Sequence, residues 1–113
     1  MWVCLREGFV SAVQDRYDPG RLVVRARNPE HLKTLFPDDE IVLTPDADYA
    51  ARVFIRREEF VRVVTQRISE IDYPNFKDSV TDRDLHMLYE EFWMLHFQYQ
   101  AELSSHSRTR KQR

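Results

Sequence analysis

The sequence predicts an α+β fold in which an antiparallel sheet of about four strands has helices packed on one face. Strands with a two-residue periodicity come first along the chain, segments with helical periodicity take up most of the second half, and the two kinds do not alternate throughout. The chain of 113 residues is long enough for one hydrophobic core. We therefore expect a single domain over residues 1–103, followed by a disordered basic tail over residues 104–113.

The first two strands are predicted to form a hairpin. Residues 2–5 and 9–15 are mostly β-branched, aromatic or small, and Glu7-Gly8 between them can supply the positive φ of a tight turn. A second turn follows at Tyr17-Asp18-Pro19-Gly20, where proline before glycine predicts type II geometry with positive φ at the glycine. A third strand should begin directly after this turn.

The third strand is predicted over residues 21–27, because apolar side chains alternate along it. Its inward face consists of Leu22, Val24 and Ala26. Asn28 then has the side chain of an N-cap and Pro29 suits the first helical position, so a short helix should run to Phe36 and end before Pro37.

Two more strands and two helices complete the predicted order. Residues 41–43 form a short strand, and residues 48–55 form the fourth main strand by strict alternation. Residues 58–71 have helical periodicity and should cover the sheet, whereas residues 83–103 form a final helix. The inward residues expected on the helix over 58–71 are Phe60, Val64, Ile68 and Ile71.

Charge is distributed unevenly along the chain. All 19 acidic residues precede Ser104, whereas four of the 17 basic residues follow it, which leaves residues 1–103 with 13 basic against 19 acidic side chains. An acidic body argues against nucleic-acid binding over the whole surface. Weak nucleic-acid binding through the basic tail stays open beside the alternative of a solvated chain end.

Composition favours a soluble cytoplasmic protein. No stretch approaches the roughly 20 apolar residues of a membrane span, and the first residues lack a signal-peptide layout. The single cysteine, Cys4, cannot form an internal disulfide, which fits a reducing compartment. No glycine-rich phosphate loop, nucleophile elbow or paired-cysteine motif is visible, so we expect no cofactor and assign no catalytic residue.

The final helix is unusually rich in bulky apolar residues. They spread over more than one face, and a single contact with a sheet would not bury them all. Burial within the chain is one alternative, and contact with a protein partner or with a second copy in a homodimer is the other. The interface candidates are Tyr89, Phe92, Trp93, His96 and Phe97.

Polar residues recur at the ends of the predicted strands and in the loop after residue 71. If they meet at one edge, arginine forks could hold a carboxylate or a phosphate while acidic residues orient them. Cross-strand ion pairs and loop-fixing hydrogen bonds are the structural alternative. The members of this predicted polar cluster are Arg25, Arg27, Asp48, Tyr49, Arg52, Asp72, Tyr73, Asn75 and Lys77.

Candidates for metal binding and nucleophilic catalysis are weaker. His86 and Glu90 are one helical turn apart and would supply two ligands, but a zinc site needs about three or four, and no second helix offers a matching pair. We therefore assign no metal site. Cys4 is expected to act as a small apolar side chain, because no activating base accompanies it.

Several segments together resemble a family of small bacterial and phage proteins. The segments are Trp2, Gly8–Val13, Val24–Arg27, Asp48-Tyr49 with Arg52, Ile71-Asp72-Tyr73 with Asn75-Phe76-Lys77, and Tyr89 with Trp93. The resemblance spans residues 2–97, and its most specific part is the loop from Ile71 to Lys77. It implies an intracellular bacterial or phage setting and a common role for the polar cluster, but no particular activity.

These observations favour a non-enzymatic protein-interaction or regulatory module that acts through the final helix. The alternative is a small enzyme or an anion- or ligand-binding protein that uses the polar cluster. Nucleic-acid binding through the tail is a third hypothesis.

Overall fold

The structure, a computed structural model, describes the backbone of residues 1–112 and the side chains of residues 1–106. The chain divides into two compact units, which are residues 1–76 and the residues from 77 onward. The expectation of one domain over residues 1–103 stays a prediction.

The first unit is an antiparallel sheet with two helices. Its five strands lie in the order β1-β2-β3-β5-β4, which confirms the predicted α+β class, and the fifth strand is the short one predicted over residues 41–43. The strands are β1 (Trp2–Leu5), β2 (Gly8–Gln14), β3 (Arg21–Ala26), β4 (Val42–Leu43) and β5 (Ala51–Arg56). The helices are α1 (Pro29–Leu35) and α2 (Arg57–Ser69).

The core lies between one face of the sheet and the two helices. Because side chains alternate along each strand, every second residue faces α1 and α2. The sheet contributes Val10, Ala12, Leu22, Val24, Ala26, Ala51, Val53 and Ile55, and the helical side contributes Leu32, Leu35, Phe36, Phe60 and Val63. The inward face predicted for β3 is therefore confirmed.

Both predictions of positive φ at the glycine turns are wrong, since no described residue has positive φ. Gly8 is instead required by a close approach, because a Cβ there would lie 2.5 Å from the Cβ of His31. The Phe9 N–H donates to Nδ1 of the same histidine at 3.2 Å. At the second turn, the Arg21 N–H donates to the Asp18 carbonyl at 3.0 Å, so the turn forms without left-handed backbone.

The start of α1 confirms the predicted cap. Asn28 has extended backbone geometry, and its side-chain oxygen accepts a hydrogen bond from the Glu30 N–H at 3.0 Å. Pro29 occupies the first turn, where its missing N–H has no cost. The helix ends at Leu35, and the ring of Phe36 then stacks on that of Phe60 with centroids 6.4 Å apart.

The predicted inward face of α2 is correct only in its first half. Phe60 is buried as expected, but Val63 is buried and Val64 is only partly so, while Ile68 and Ile71 are more than half exposed. The helix follows β5 directly and its last turns reach β1 at the edge of the sheet. The sheet therefore ends before it can cover this part of the helix, and a cleft remains.

The second unit contains one long helix. A 3-10 turn at Lys77–Ser79 precedes α3 (Arg83–Gln112), and the Asp82 carboxylate accepts hydrogen bonds from the N–H groups of Asp84 and Leu85. The helix continues past the predicted end at residue 103 into the segment for which a disordered tail was expected. The side chains of residues 107–113, on which the nucleic-acid hypothesis depends, lie outside the described residues. No helix in the described part of the chain is long and apolar enough to cross a membrane.

Candidate functional site

The most unusual surface of the molecule is the apolar surface of α3. Eight bulky apolar side chains of this helix are between 36% and 62% exposed. Single exposed apolar residues are common on proteins, but this helix concentrates them. They are Met87, Leu88, Trp93, Met94, Leu95, Phe97, Tyr99 and Leu103, and we call this set the α3 apolar surface.

Three members of the α3 apolar surface, Leu88, Leu95 and Tyr99, lie on one stripe of the helix. Residues spaced alternately by three and four positions form one stripe along a helix, and here they are Leu85, Leu88, Phe92, Leu95 and Tyr99. Leu85 is 5% exposed and Phe92 is partly buried, whereas Leu95 and Tyr99 are 61% and 62% exposed. The stripe is thus accessible mainly in its C-terminal half.

A second part of the surface is an aromatic pair. Trp93 and Phe97 lie one turn apart, and their rings stack with centroids 5.5 Å apart at an interplanar angle of 11°. Each side chain is about half exposed. The Lys77 ammonium lies 6.0 Å from the centroid of the Trp93 ring, within reach of a weak cation–π contact. This pair presents a flat and partly ordered aromatic platform.

The five predicted interface residues do not all reach this surface. Tyr89 is buried and Phe92 is partly buried, with their rings 6.1 Å apart. His96 is exposed and its Nδ1 lies 2.6 Å from the Phe92 carbonyl oxygen, to which it donates. The prediction did not include Leu95, Tyr99, Leu103, Met87 or Met94. The alternating spacing of three and four residues identifies Leu95 and Tyr99 from the sequence.

Three arginines of the predicted polar cluster gather around Tyr49. The guanidinium carbons of Arg25 and Arg27 each lie 4.5 Å from the centroid of the buried Tyr49 ring. Arg52 lies directly opposite Arg25 on the paired strand, and Asp48 forms an ion pair with Arg52 at 3.3 Å. We call these five residues the arginine cluster.

The arginine cluster has more positive than negative charge. Asp48 is the one carboxylate among its five members, against three guanidinium groups. Arg25 donates to Ser11 Oγ at 2.9 Å, but its Nε is buried and has no hydrogen-bond partner within the described residues. A partly buried cation without a carboxylate partner is costly, so an anion would be favoured here.

The remaining members of the predicted polar cluster lie elsewhere. Asp72 pairs with Arg6 at 3.2 Å, and the same guanidinium lies 4.9 Å from the centroid of the Tyr73 ring. Asn75 follows in the same loop, and Lys77 belongs to the second unit. The predicted cluster therefore comprises an arginine group at β3 and β5 and a loop group near Arg6.

The candidate metal ligands His86 and Glu90 and the candidate nucleophile Cys4 have environments that fit a structural role. The residues described by the structure contain no group of three or more metal-ligating side chains. His86 Nδ1 donates to the Lys77 carbonyl at 2.6 Å, and its Nε2 lies 4.0 Å from a Glu90 oxygen, so the ring ties α3 to the preceding turn. Partial burial raises the pKa of the Cys4 thiol, which disfavours the nucleophilic thiolate.

Comparisons with models of protein families, with curated proteins and with solved structures found no match to this chain.

Proposed function

We propose that this chain is a non-enzymatic protein-interaction or regulatory module that binds its partner through α3. The observation that supports this proposal is the α3 apolar surface, with eight bulky side chains at least 36% exposed on one helix. These side chains lie on more than one face of the helix, and exposed apolar area concentrated in this way is typical of interaction sites. The resemblance noted in the sequence would place such a module in the cytoplasm of a bacterial or phage-infected cell.

The composition of the surface also fits an interface. Aromatic residues and methionine are enriched in the cores of protein interfaces, where aromatic side chains most often act as hot spots. The α3 apolar surface contains Trp93, Phe97 and Tyr99 together with Met87 and Met94. Because the Trp93 and Phe97 rings stack on each other, their side chains lose less conformational entropy when a partner binds.

The energetic contribution of Trp93 to binding follows from its exposure. An aromatic side chain buries about 150–250 Å² when fully covered, and Trp93 is 52% exposed, so about 100 Å² remains for a partner to bury. At about 25 cal/mol per Å² this area stabilises a complex by about 2.5 kcal/mol, or roughly 60-fold in Kd. Trp93→Ala should weaken partner binding by about that factor, and circular dichroism checks that the variant is folded.

The proposal is tested with Trp93→Ala, Phe97→Ala and Tyr17→Ala. Tyr17 is 85% exposed but belongs to a turn of the first unit, so Tyr17→Ala controls for loss of any exposed aromatic ring. Light scattering measures self-association, and a nuclease-treated pull-down from native lysate, followed by a titration of the recovered protein, measures binding. Binding that is lost with the two α3 variants alone supports the proposal, whereas equal binding by all variants contradicts it.

We keep anion binding by the arginine cluster as a second candidate, because Arg25 lacks a carboxylate partner among the described residues. Inorganic phosphate and acetate serve as probes in a thermal-shift assay at constant ionic strength. A ligand that binds only the folded state raises Tm, and Arg25→Gln should abolish the increase. Arg62→Gln is the control, since Arg62 is an exposed arginine on α2. No increase with either anion would contradict this candidate.

A further inference from the structure

The edge strand β1 has backbone hydrogen-bonding groups directed away from the sheet. Within the described residues β1 pairs only with β2. Met1 exchanges both of its backbone hydrogen bonds with Ala12, each at 2.8 Å. Because bonded and non-bonded pairs alternate in an antiparallel ladder, the N–H and C=O groups of Trp2 and Cys4 face outward.

This edge lacks the usual protection against pairing with another strand. Natural sheets blunt their edges with proline, charged side chains, bulges or very short strands. Residues 1–5 contain no proline and no charged side chain, and the register of β1 with β2 is continuous from Trp2 to Leu5. The opposite edge is blunted, since β4 has two residues.

A cleft lies directly beside the edge, and its lining combines apolar side chains with the charged side chains of Arg6, Glu7, Arg67 and Glu70. Val3 and Leu5 point to the helical face of the sheet, and Val64 and Ile68 of α2 form the other wall of a cavity of about 200 Å³. A strand added to β1 would direct every second side chain into this cleft.

We propose that a second copy of this chain occupies the edge, with β1 of each copy pairing antiparallel to form a ten-stranded sheet. The strand is its own complement, because an uncharged edge approaches its copy without repulsion between like side-chain charges. Pairing between β1 and β4 would instead extend without closure, and β4 is too short to support it. The assembly therefore closes as a twofold dimer. The edge belongs to the first unit and α3 to the second, and the inference does not depend on the proposed function.

The outward groups select one register. The N–H and C=O groups of Trp2 and Cys4 all find partners within the strand when Trp2 lies opposite the partner's Cys4. In that register Val3 lies opposite the partner's Val3, and these two residues form a non-hydrogen-bonded pair. In this register the Met1 side chain, which is 67% exposed, lies beside the partner's Leu5 at the cleft. The dimer thus satisfies the edge and covers exposed apolar surface together.

Disulfide cross-linking tests this register. The two Cα atoms of a non-hydrogen-bonded antiparallel pair are about 4.5 Å apart, which is within the range of a disulfide. In a Cys4→Ser background, Val3→Cys should become mostly disulfide-linked dimer on mild oxidation, whereas Tyr17→Cys in the same background should not. Equal cross-linking of the two variants would overturn the proposal.

Proline at the edge tests the pairing itself. The Cys4 N–H points away from β2, so Cys4→Pro removes an intermolecular donor while the hairpin is retained. Light scattering under reducing conditions should show twice 13.7 kDa for the natural chain and for Cys4→Ser, and 13.7 kDa for Cys4→Pro. A natural chain that is monomeric at every concentration, or a folded Cys4→Pro that remains dimeric, overturns the inference.

The same experiments separate this dimer from association through α3. A dimer that is lost in Trp93→Ala and retained in a folded Cys4→Pro would overturn edge pairing and support the proposed function. A dimer lost in Cys4→Pro and retained in Trp93→Ala supports edge pairing. If circular dichroism shows that Cys4→Pro is unfolded, the Val3→Cys comparison decides.

Discussion

Replacing Gly8 by alanine tests the packing of the first unit most directly. The added Cβ would lie 2.5 Å from Cβ and 2.6 Å from Cγ of His31, whereas carbon atoms in contact are about 3.5–4.0 Å apart. His31 cannot withdraw easily, because it lies on α1 and its Nδ1 accepts the Phe9 N–H. Overpacking of this kind costs about 1–3 kcal/mol, so Gly8→Ala should lower the free energy of unfolding by that amount.

A double-mutant cycle measured by urea unfolding isolates this clash. His31→Ala alone should cost about 1 kcal/mol, chiefly through the lost hydrogen bond, and adding Gly8→Ala to it should cost little more. The expected coupling is about 1–3 kcal/mol. Gly20→Ala is the matched control, because its Cβ would approach the mobile guanidinium end of Arg56, at 2.7 Å. If His31→Ala does not relieve the cost of Gly8→Ala, the packing argument is wrong.

Three further predictions concern the folding of the first unit. Leu32 is fully buried, so Leu32→Ala should cost about 2–5 kcal/mol in urea unfolding, and a loss below about 1 kcal/mol would contradict its place in the core. Asn28→Ala removes the cap of α1 and should cost about 1 kcal/mol, with Asn28→Asp as the control that retains a cap. A hydrogen bond with Asp39, followed by burial, raises the pKa of the Glu59 carboxyl. The folded state therefore favours the protonated form, so Glu59→Gln should stabilise the protein at neutral pH, and the gain should disappear as the pH falls below the unfolded pKa of glutamate. A gain that persists at low pH would exclude the Asp39 interaction as its cause.

A strand could be predicted from the sequence where the two-residue alternation of its side chains matched the face that is buried. Leu22, Val24 and Ala26 share one face of β3 by alternation, and each is buried on the face that carries α1 and α2. The N-cap at Asn28 was predictable because it depends on neighbouring backbone groups alone. In both cases the signal is local, so tertiary contacts did not have to be known.

The order of strands and the division of the polar cluster could not be predicted in this way. Placing β5 between β3 and β4 brings Asp48, Tyr49 and Arg52 to Arg25, whereas the end of α2 brings Asp72 and Tyr73 to Arg6. Alternation shows which face a side chain occupies but not which strand lies beside it. A set of residues grouped by type alone was therefore divided by topology.

The role of Gly8 shows the same limit on a smaller scale. The sequence predicted positive φ there because glycine tolerates it, but the constraint is the side chain of His31, which is distant in sequence. Glycine permits a left-handed backbone or a close approach equally well, and only the packed structure distinguishes the two.

The two proposed interaction surfaces depend on different forces, and this difference makes them separable. Edge pairing at β1 depends on directed backbone hydrogen bonds of Trp2 and Cys4, so a single lost N–H disrupts it while side-chain changes that keep the strand do not. Binding through α3 depends on the burial of apolar area, so it follows side-chain size and is insensitive to the removal of one backbone donor. Cys4→Pro should therefore abolish edge pairing and leave binding through α3 unchanged, whereas Trp93→Ala should weaken binding through α3 and leave edge pairing unchanged.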